Sequence, residues 1–332
     1  MKFDAAHLQA IANATGFSPD NLEKILRLRE LLTEFHKPPF LRDRIVLKGG
    51  TAINLFYLDL VRLSVGIDLN YIAQVEREKM LAERPDVVRA VDQIATGLGY
   101  RIQNGVDDHA LREWHLGYSN HSGGQDRIQV EINFLMRTFA LHPQALPAAT
   151  VGDPQPCEFL VLATEELFAG KLKAMIDRRH PRDLYDLFRF TKSNLPHDFE
   201  ILRKLAVLFS GTMDRDFRTY KIDRVSEIDA KQVESLLYPL FKATDRPTLA
   251  EMLAATKPLL ESVLDHGREA AYLAAVSRAA SAMGRRSAEA LKRESRRGGG
   301  VNLFAGCVLG ASSAAGREKR PKGENDVDLQ AG

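Results

Sequence analysis

Hydrophobic periodicity changes once along this chain, and that change restricts the fold more than any other feature. Up to about residue 155, short apolar or alternating runs recur: "RIVLKGG", "LSVGIDLNYIA", "YRIQNG", "EWHLGYSN" and "RIQVEINFLM". Such runs read as strands. From about residue 160, "TEELFAGKLKAMIDRR", "PRDLYDLFRFTKS" and "DFEILRKLAVLFSG" repeat apolar residues at helical spacing, with further helices through Leu291. The order predicts an α/β (α+β) N-terminal lobe with a mixed sheet, plus a helical C-terminal lobe. Domain limits are expected at residues 1–155, including N-terminal helices, at 156–294 for the helical lobe, and at 295–332 for a tail.

Within the first lobe, Leu8, Ile11, Leu22, Ile25, Leu26, Leu28 and Leu32 predict two helices, the second opened by Ser18 as N-cap and Pro19 at the first helical position. "TAINLFYLDLV" has helical spacing, and "REKMLAERPDVVRAVDQIATGLG" is helical with a break expected around Pro85. No internal repeat is evident. The tail from about Ser295 is rich in Gly, Ala and Ser with clustered charges, a composition that cannot bury a core and reads as disordered. Its abrupt change of character suggests an altered reading frame or a fusion remnant.

Composition excludes several classes. A chain of 332 residues with 45% hydrophobic residues can bury a large core. No apolar run approaches the ~20 residues needed to span a bilayer, and the N-terminus lacks the basic-then-apolar order of a signal peptide, so no membrane association and a cytoplasmic location are expected. Cys157 and Cys307 are far apart and belong to no Cys/His cluster, which indicates neither a disulfide framework nor a zinc site. Formal net charge is +2, so contact with RNA would rest on local patches. One such patch is Arg285, Arg286, Lys292, Arg293, Arg296 and Arg297, which also reads as a solvated helix end.

Three stretches carry candidate chemistry. The first is a strand running through Lys48 into Gly49, Gly50 and Thr51 ahead of a helix, which presents backbone N–H groups without Cβ obstruction and can hold a phosphate. Its spacing is not that of a Walker loop. The second is "RLSVGID", Arg62 to Asp68. Alternation along a strand puts Ser64, Gly66 and Asp68 on one face, where acids at 66 and 68 would share divalent cations, yet only Asp68 is present. Glu131, on a later strand, is a second carboxylate across the sheet or an ordinary solvated residue. The third is the helix pair carrying Lys171 and, three residues apart on one face, Asp183 and Asp186, with Arg182 and Tyr185 beside them. A Lys and two Asp at the mouth of the α/β lobe can bind triphosphate and position a nucleophile, although a salt-bridged surface is the commoner meaning of such a set.

Taken in order, "KGGTAINLFY", "RLSVGID", "AGKLKAMIDRR" and "RDLYDL" resemble the successive motifs of the AbiEii/AbiGii-type nucleotidyltransferase toxins, within the DNA polymerase β-like nucleotidyltransferase superfamily. The resemblance spans roughly residues 30 to 280. It implies a nucleotidyltransferase-like α/β lobe, phosphate contacts by Gly49, Gly50 and Thr51, metal binding by Asp68, and an approach to the metal pair by Arg62 and Ser64; Lys48 beside the turn and Glu131 across the sheet are further candidates for nucleotide and metal. Catalytic roles follow by the same resemblance for Lys171, Asp183 and Asp186. It further implies Mg²⁺ or Mn²⁺, an NTP substrate, a toxin role in a toxin-antitoxin or abortive-infection system, a cognate antitoxin of winged-helix type, and an RNA acceptor, with tRNA expected.

This sequence departs from the family at Gly66, where the first Asp of the metal pair stands. Glycine offers no ligand, so activity is expected to be impaired. The alternatives are a non-catalytic relative that binds nucleotide or antitoxin, and a nucleotidyltransferase acting on a protein or small-molecule acceptor.

Overall fold

The computed structural model describes residues 4–152, 156–211, 219–242 and 245–265. Two helices open the chain, α1 (Ala5–Thr15) and α2 (Pro19–His36). The Ser18 side chain accepts a hydrogen bond from the Asn21 N–H and Pro19 occupies the first turn, as the sequence predicts. A short helix α3 (Pro39–Arg42) leads into β1 (Ile45–Lys48), which turns at once into α4 (Gly49–Ala52) and a wider π-type turn over Ile53–Tyr57.

The helix expected to run on through Val61 therefore stops at Tyr57. Asp59 and Leu60 adopt positive φ of 49° and 59°, and the Leu60 N–H returns to the Asn54 carbonyl at 2.7 Å. This reversal in a costly backbone region sends Arg62 back beneath the glycine turn. β2 follows at Gly66–Tyr71 and so begins two residues after Ser64, which precedes the strand.

α5 (Arg77–Gly97) is continuous through Pro85, contrary to the expected break. A proline removes one helical hydrogen bond, but Met80, Val87, Val91 and Ala95 bury one stripe of α5 and keep the helix continuous across that defect. The chain then forms β3 (Arg101–Asp107), β4 (Leu111–Ser119), β5 (Gln125–Asn133), β6 (Gln144–Pro147) and β7 (Glu158–Val161). All seven strands make one mixed sheet in the order β3-β4-β5-β2-β1-β7-β6. β7 pairs parallel to β1 at Leu47 and Val161, so the sheet runs past residue 155.

One face of β4 and β5 carries Trp114, Leu116, Ile128, Val130 and Ile132, all with no exposed surface. Alternation turns Glu113, His115, Gln129 and Glu131 to the opposite, partly exposed face. The helical part comprises α6 (Thr164–Arg178), α7 (Pro181–Lys192), α8 (Phe199–Ser210), α9 (Ala230–Leu236) and α10 (Leu249–Leu264). Phe168 of α6 stacks on Phe190 of α7 with ring centroids 4.0 Å apart. The fold is thus a mixed α/β sheet lobe continued by helices. Cys157 is buried and free. The tail, Cys307, the basic cluster from Arg285 to Arg297 and the helices expected beyond Leu264 lie outside the described residues.

Candidate active site

Gly49 has φ of 74°, and a Cβ there would stand 2.3 Å from Asp68 Oδ2. Glycine at this position lets the Asp68 carboxylate rest directly against the turn, an approach no other residue allows. At Gly50 a Cβ would come within 2.9 Å of both Arg62 Nη2 and Ser64 Oγ, so the turn is packed from below by these two side chains. Thr51 is buried and its hydroxyl donates to the Gly66 carbonyl, tying the turn to β2.

Register places the charged residues in one row across the sheet. Lys48 faces Asp68, Asp68 faces Glu131, and Glu131 faces Glu113, on β1, β2, β5 and β4 in turn. Lys48 Nζ lies 4.0 Å from Glu131 Oε1. Burial raises the Glu131 pKa above the usual carboxylate value; Lys48 opposes the shift, and the charges of Asp68 and Glu113 add to it. Gly66 faces Gln129 in the next row, and a Cβ at 66 would meet only the Gln129 carbonyl oxygen at 3.6 Å. There is room for a Cβ at that position, on the same face as Asp68.

The helix pair supplies a second cluster, almost wholly buried. Lys171 donates to Asp183 at 2.8 Å and lies 3.0 Å from Asp186 Oδ2. Asp186 also takes both arms of Arg62, at 2.8 and 2.7 Å, and the Asn54 amide at 3.1 Å. Asp183 takes both arms of Arg178, at 2.7 and 3.0 Å. Burial alone would raise both aspartates. Lys171 and Arg178 at Asp183, and Arg62 and Lys171 at Asp186, outweigh it and hold each carboxyl below its ordinary range. Neither is suited to accept a proton at neutral pH. Burial would likewise lower the Lys171 pKa, but Asp186 and Asp183 overcome it and keep the ammonium charged.

The two clusters meet. Asn54 donates to the Gly50 carbonyl as well as to Asp186, and Arg62 touches both the turn and Asp186. Arg178 is bonded to Asp183 and also feels the charge of Asp68. Every sequence-predicted site residue therefore lies in this cluster or in the row beside it, with two differences in presentation. Arg62 is only 2% exposed and its guanidinium is engaged by Asp186 and the Leu63 carbonyl, so it braces the turn and is not offered to a ligand. Ser64 lies under Gly50 and does not share the strand face with Asp68.

Sequence reasoning missed Asn54, Glu113 and Arg178. Arg178 is seven residues after Lys171 on one helix face, and Asn54 is four after Gly50, so helical spacing could have found both. Among the described residues no group of three or more His, Cys, Asp or Glu side chains is arranged to hold a metal ion. Asp68 and Glu131 are adjacent carboxylates in register, a donor set that suits one divalent cation in part and two not at all.

A sheet whose central hairpin sets a glycine turn against an acidic strand, joined to a helix pair carrying Lys and Asp, is the architecture of a nucleotidyltransferase fold. The chain belongs to the nucleotidyl transferase AbiEii toxin family of type IV toxin-antitoxin systems, whose model matches residues 30–278. Among solved structures it is similar to MenT4, a nucleotidyltransferase toxin from Mycobacterium tuberculosis. That match has a TM-score of 0.56 and 20% identity, covering 79% of this chain and 90% of that one. JHP933 from Helicobacter pylori matches with a TM-score of 0.47 and 17% identity, over 77% of this chain and 97% of that one. No curated protein matches. The expected family and fold are thereby established, and an antitoxin partner belongs to such a system. No helix among the described residues is long and apolar enough to cross a membrane.

Proposed function

We propose that the chain transfers a nucleotide from an NTP to an RNA hydroxyl, with tRNA as the acceptor, in the cytoplasm, and that Gly66 slows this reaction. The observation that carries the reading is the row Lys48–Asp68–Glu131 lying against the Gly49–Gly50 turn and joined through Arg62, Asn54 and Arg178 to Lys171, Asp183 and Asp186. The N–H groups of Gly49, Gly50 and Thr51 open a helix and have no preceding carbonyls to bond, so they bind phosphate oxygens, with Lys48 adding a charge at the edge. Asp68 and Glu131 would hold Mg²⁺ or Mn²⁺, which supplies charge neutralisation for the triphosphate. The acceptor hydroxyl attacks the α-phosphorus and gives up its proton to solvent, the bond to the α–β bridging oxygen breaks, and pyrophosphate leaves. Lys171, its charge fixed by Asp183 and Asp186, forms the positive floor of the site, and the two aspartates orient it.

Loss of one carboxylate at position 66 removes a ligand and a negative charge, a change worth about two orders of magnitude in rate, or ~2.7 kcal/mol. The test is transfer of label from each NTP, labelled at the α-phosphate, to total RNA and total protein, by this chain and by G66D. Labelled tRNA, with G66D about a hundredfold faster, is the expected result. Equal rates for the two would remove the claim of impairment, and label on protein alone would replace the acceptor. A second reading, binding of nucleotide or of a winged-helix antitoxin without turnover, is favoured by Gly66 itself; NTP binding with no transfer by either form is its signature.

A further inference from the structure

Over β3, β4 and β5 the sheet buries one face and leaves the other open. Trp114 of the buried face donates to Asp92 of α5 at 2.7 Å, which puts that helix on the covered side. Register orders the open face into rows that start at the acidic one. The row Lys48–Asp68–Glu131 ends on Glu113. Beside it lie Gln129, His115 and Gln103, and beyond these Arg127, Gly117 and Arg101. No side chain in these rows is apolar, and Arg101, Gln103, Arg127 and Gln129 are exposed. Such a face offers little to a folded protein partner, whose contacts centre on buried apolar and aromatic groups.

Arg127 follows the same face of β5 as Glu131, four residues away, which is about 13 Å at the rise of a strand. Its guanidinium makes no ion pair or hydrogen bond among the described residues. Arg101 donates one arm to the Gln125 side chain, and Gln125 donates to Ser119 Oγ at 3.0 Å, so Arg101 is propped at the edge of the face. Gly117 stands between the two arginines and adds no side chain. The face is therefore acidic at the row against the glycine turn and basic two rows away, with amide and imidazole groups between. A molecule with a hydroxyl at one end and phosphates along its length fits that gradient. Its hydroxyl end meets the acidic row, and its diester backbone meets the arginines.

We propose that the open face of β3, β4 and β5 is the track on which the acceptor RNA lies, its backbone phosphates held by Arg127 and Arg101, an inference that rests on the nucleotidyltransferase reading above. A guanidinium fork matches two phosphate oxygens at once. Because the rows hold no Phe, Tyr or Trp, bases find no ring to stack on, so the track grips the backbone without reading sequence.

The experiment uses the full chain and fluorescein-labelled tRNA as probe, with affinity read by anisotropy over a range of salt concentrations and without nucleotide. Each phosphate contact to a single strand contributes about 0.7 to the slope of log K against log salt, which is about fivefold in affinity at 0.1 M. The expected result is therefore about fivefold weaker binding by R127Q or R101Q, and about 25-fold by R101Q/R127Q with a slope smaller by about 1.4. R101K/R127K, which keeps both charges, should retain most of the affinity, and R89Q, on the helix that covers the other face, should change nothing. Unchanged thermal midpoints separate lost binding from lost folding; if R101Q/R127Q unfolds, the two single variants carry the comparison. Equal affinity and slope for the unaltered chain and R101Q/R127Q, or no tRNA binding by the unaltered chain, overturns the proposal. Label transfer by the unaltered chain, measured in parallel, reads the reaction separately. Transfer to RNA with binding insensitive to both arginines discards the track and keeps the reaction, whereas arginine-dependent binding without transfer keeps the track and discards the reaction.

Discussion

Replacing Asp186 by Asn tests whether the buried charges hold the two parts of the site together. Asp186 has no exposed surface and accepts from Arg62 twice, at 2.8 and 2.7 Å, from Asn54 at 3.1 Å, and lies 3.0 Å from the Lys171 ammonium. Asparagine keeps the shape and one acceptor oxygen but removes the charge. Arg62, 2% exposed, is then left with the Leu63 carbonyl as its remaining strong acceptor. Breaking one side of a buried ion pair typically costs about 3–5 kcal/mol, because the surviving charge is stranded away from water. In urea unfolding followed by circular dichroism, at an m-value of roughly 3 kcal/mol/M, the midpoint should fall by about 1–1.7 M.

The double variant R62L/D186L should recover most of this loss, since it leaves no stranded guanidinium and Lys171 retains Asp183 at 2.8 Å. Nucleotide transfer should not recover with it, because the brace beneath Gly50 is gone. A midpoint for D186N within about 0.3 M of the unaltered chain would refute the reasoning. Acid should reproduce part of the effect. Burial alone would raise both carboxyls, but their cations hold Asp183 and Asp186 below their ordinary pKa of 3.8, so the stability they add is complete above that value and is lost as pH falls further.

Three further outcomes follow from particular contacts. Gly49→Ala should lose about 1–2 kcal/mol in thermal unfolding from positive φ alone, and should lose transfer activity out of proportion to that because its Cβ would displace Asp68; activity equal to the unaltered chain would show that the contact is unimportant. Glu166 on α6 is buried, which raises its pKa to about 7 although it accepts from the Ala140 and Leu141 N–H groups. An acid raised on folding binds its proton more tightly in the native state, so stability should fall by roughly 3 kcal/mol between pH 4.5 and 7 and level off above, and E166Q should flatten that slope in pH-dependent denaturation. Finally, G66D should leave the thermal midpoint nearly unchanged, since its Cβ meets only the Gln129 carbonyl at 3.6 Å, and a large loss would mean that the space is not free.

Much of this architecture was legible because the signals are local. Ser18-Pro19 marks a helix start by capping chemistry, and the alternation in "RIQVEINFL" marks a strand with one buried face. Asp183 and Asp186 share a face by helical spacing alone. What was not legible depends on partners distant in sequence. The strands Gln144–Pro147 and Glu158–Val161 are too short to show a period and are strands because each finds a neighbour. Pro85 breaks a helix by local rule, yet packing of α5 overrides that rule. Arg62 reads as a ligand-binding cation until its pairing with Asp186, 124 positions away, shows it to be a brace.

The parallel pairing of β7 with β1 has a consequence for the nascent chain. β1 ends at Lys48, and its neighbour on one side begins only at Glu158, so during synthesis that side of the first hairpin waits for about 110 residues to emerge. Bare strand edges invite pairing with other molecules, which leaves the nascent chain open to aggregation over this interval. Because Lys171, Asp183 and Asp186 come later still, a ribosome-bound fragment that ends before α7 lacks both carboxylates of the buried cluster beneath the glycine turn.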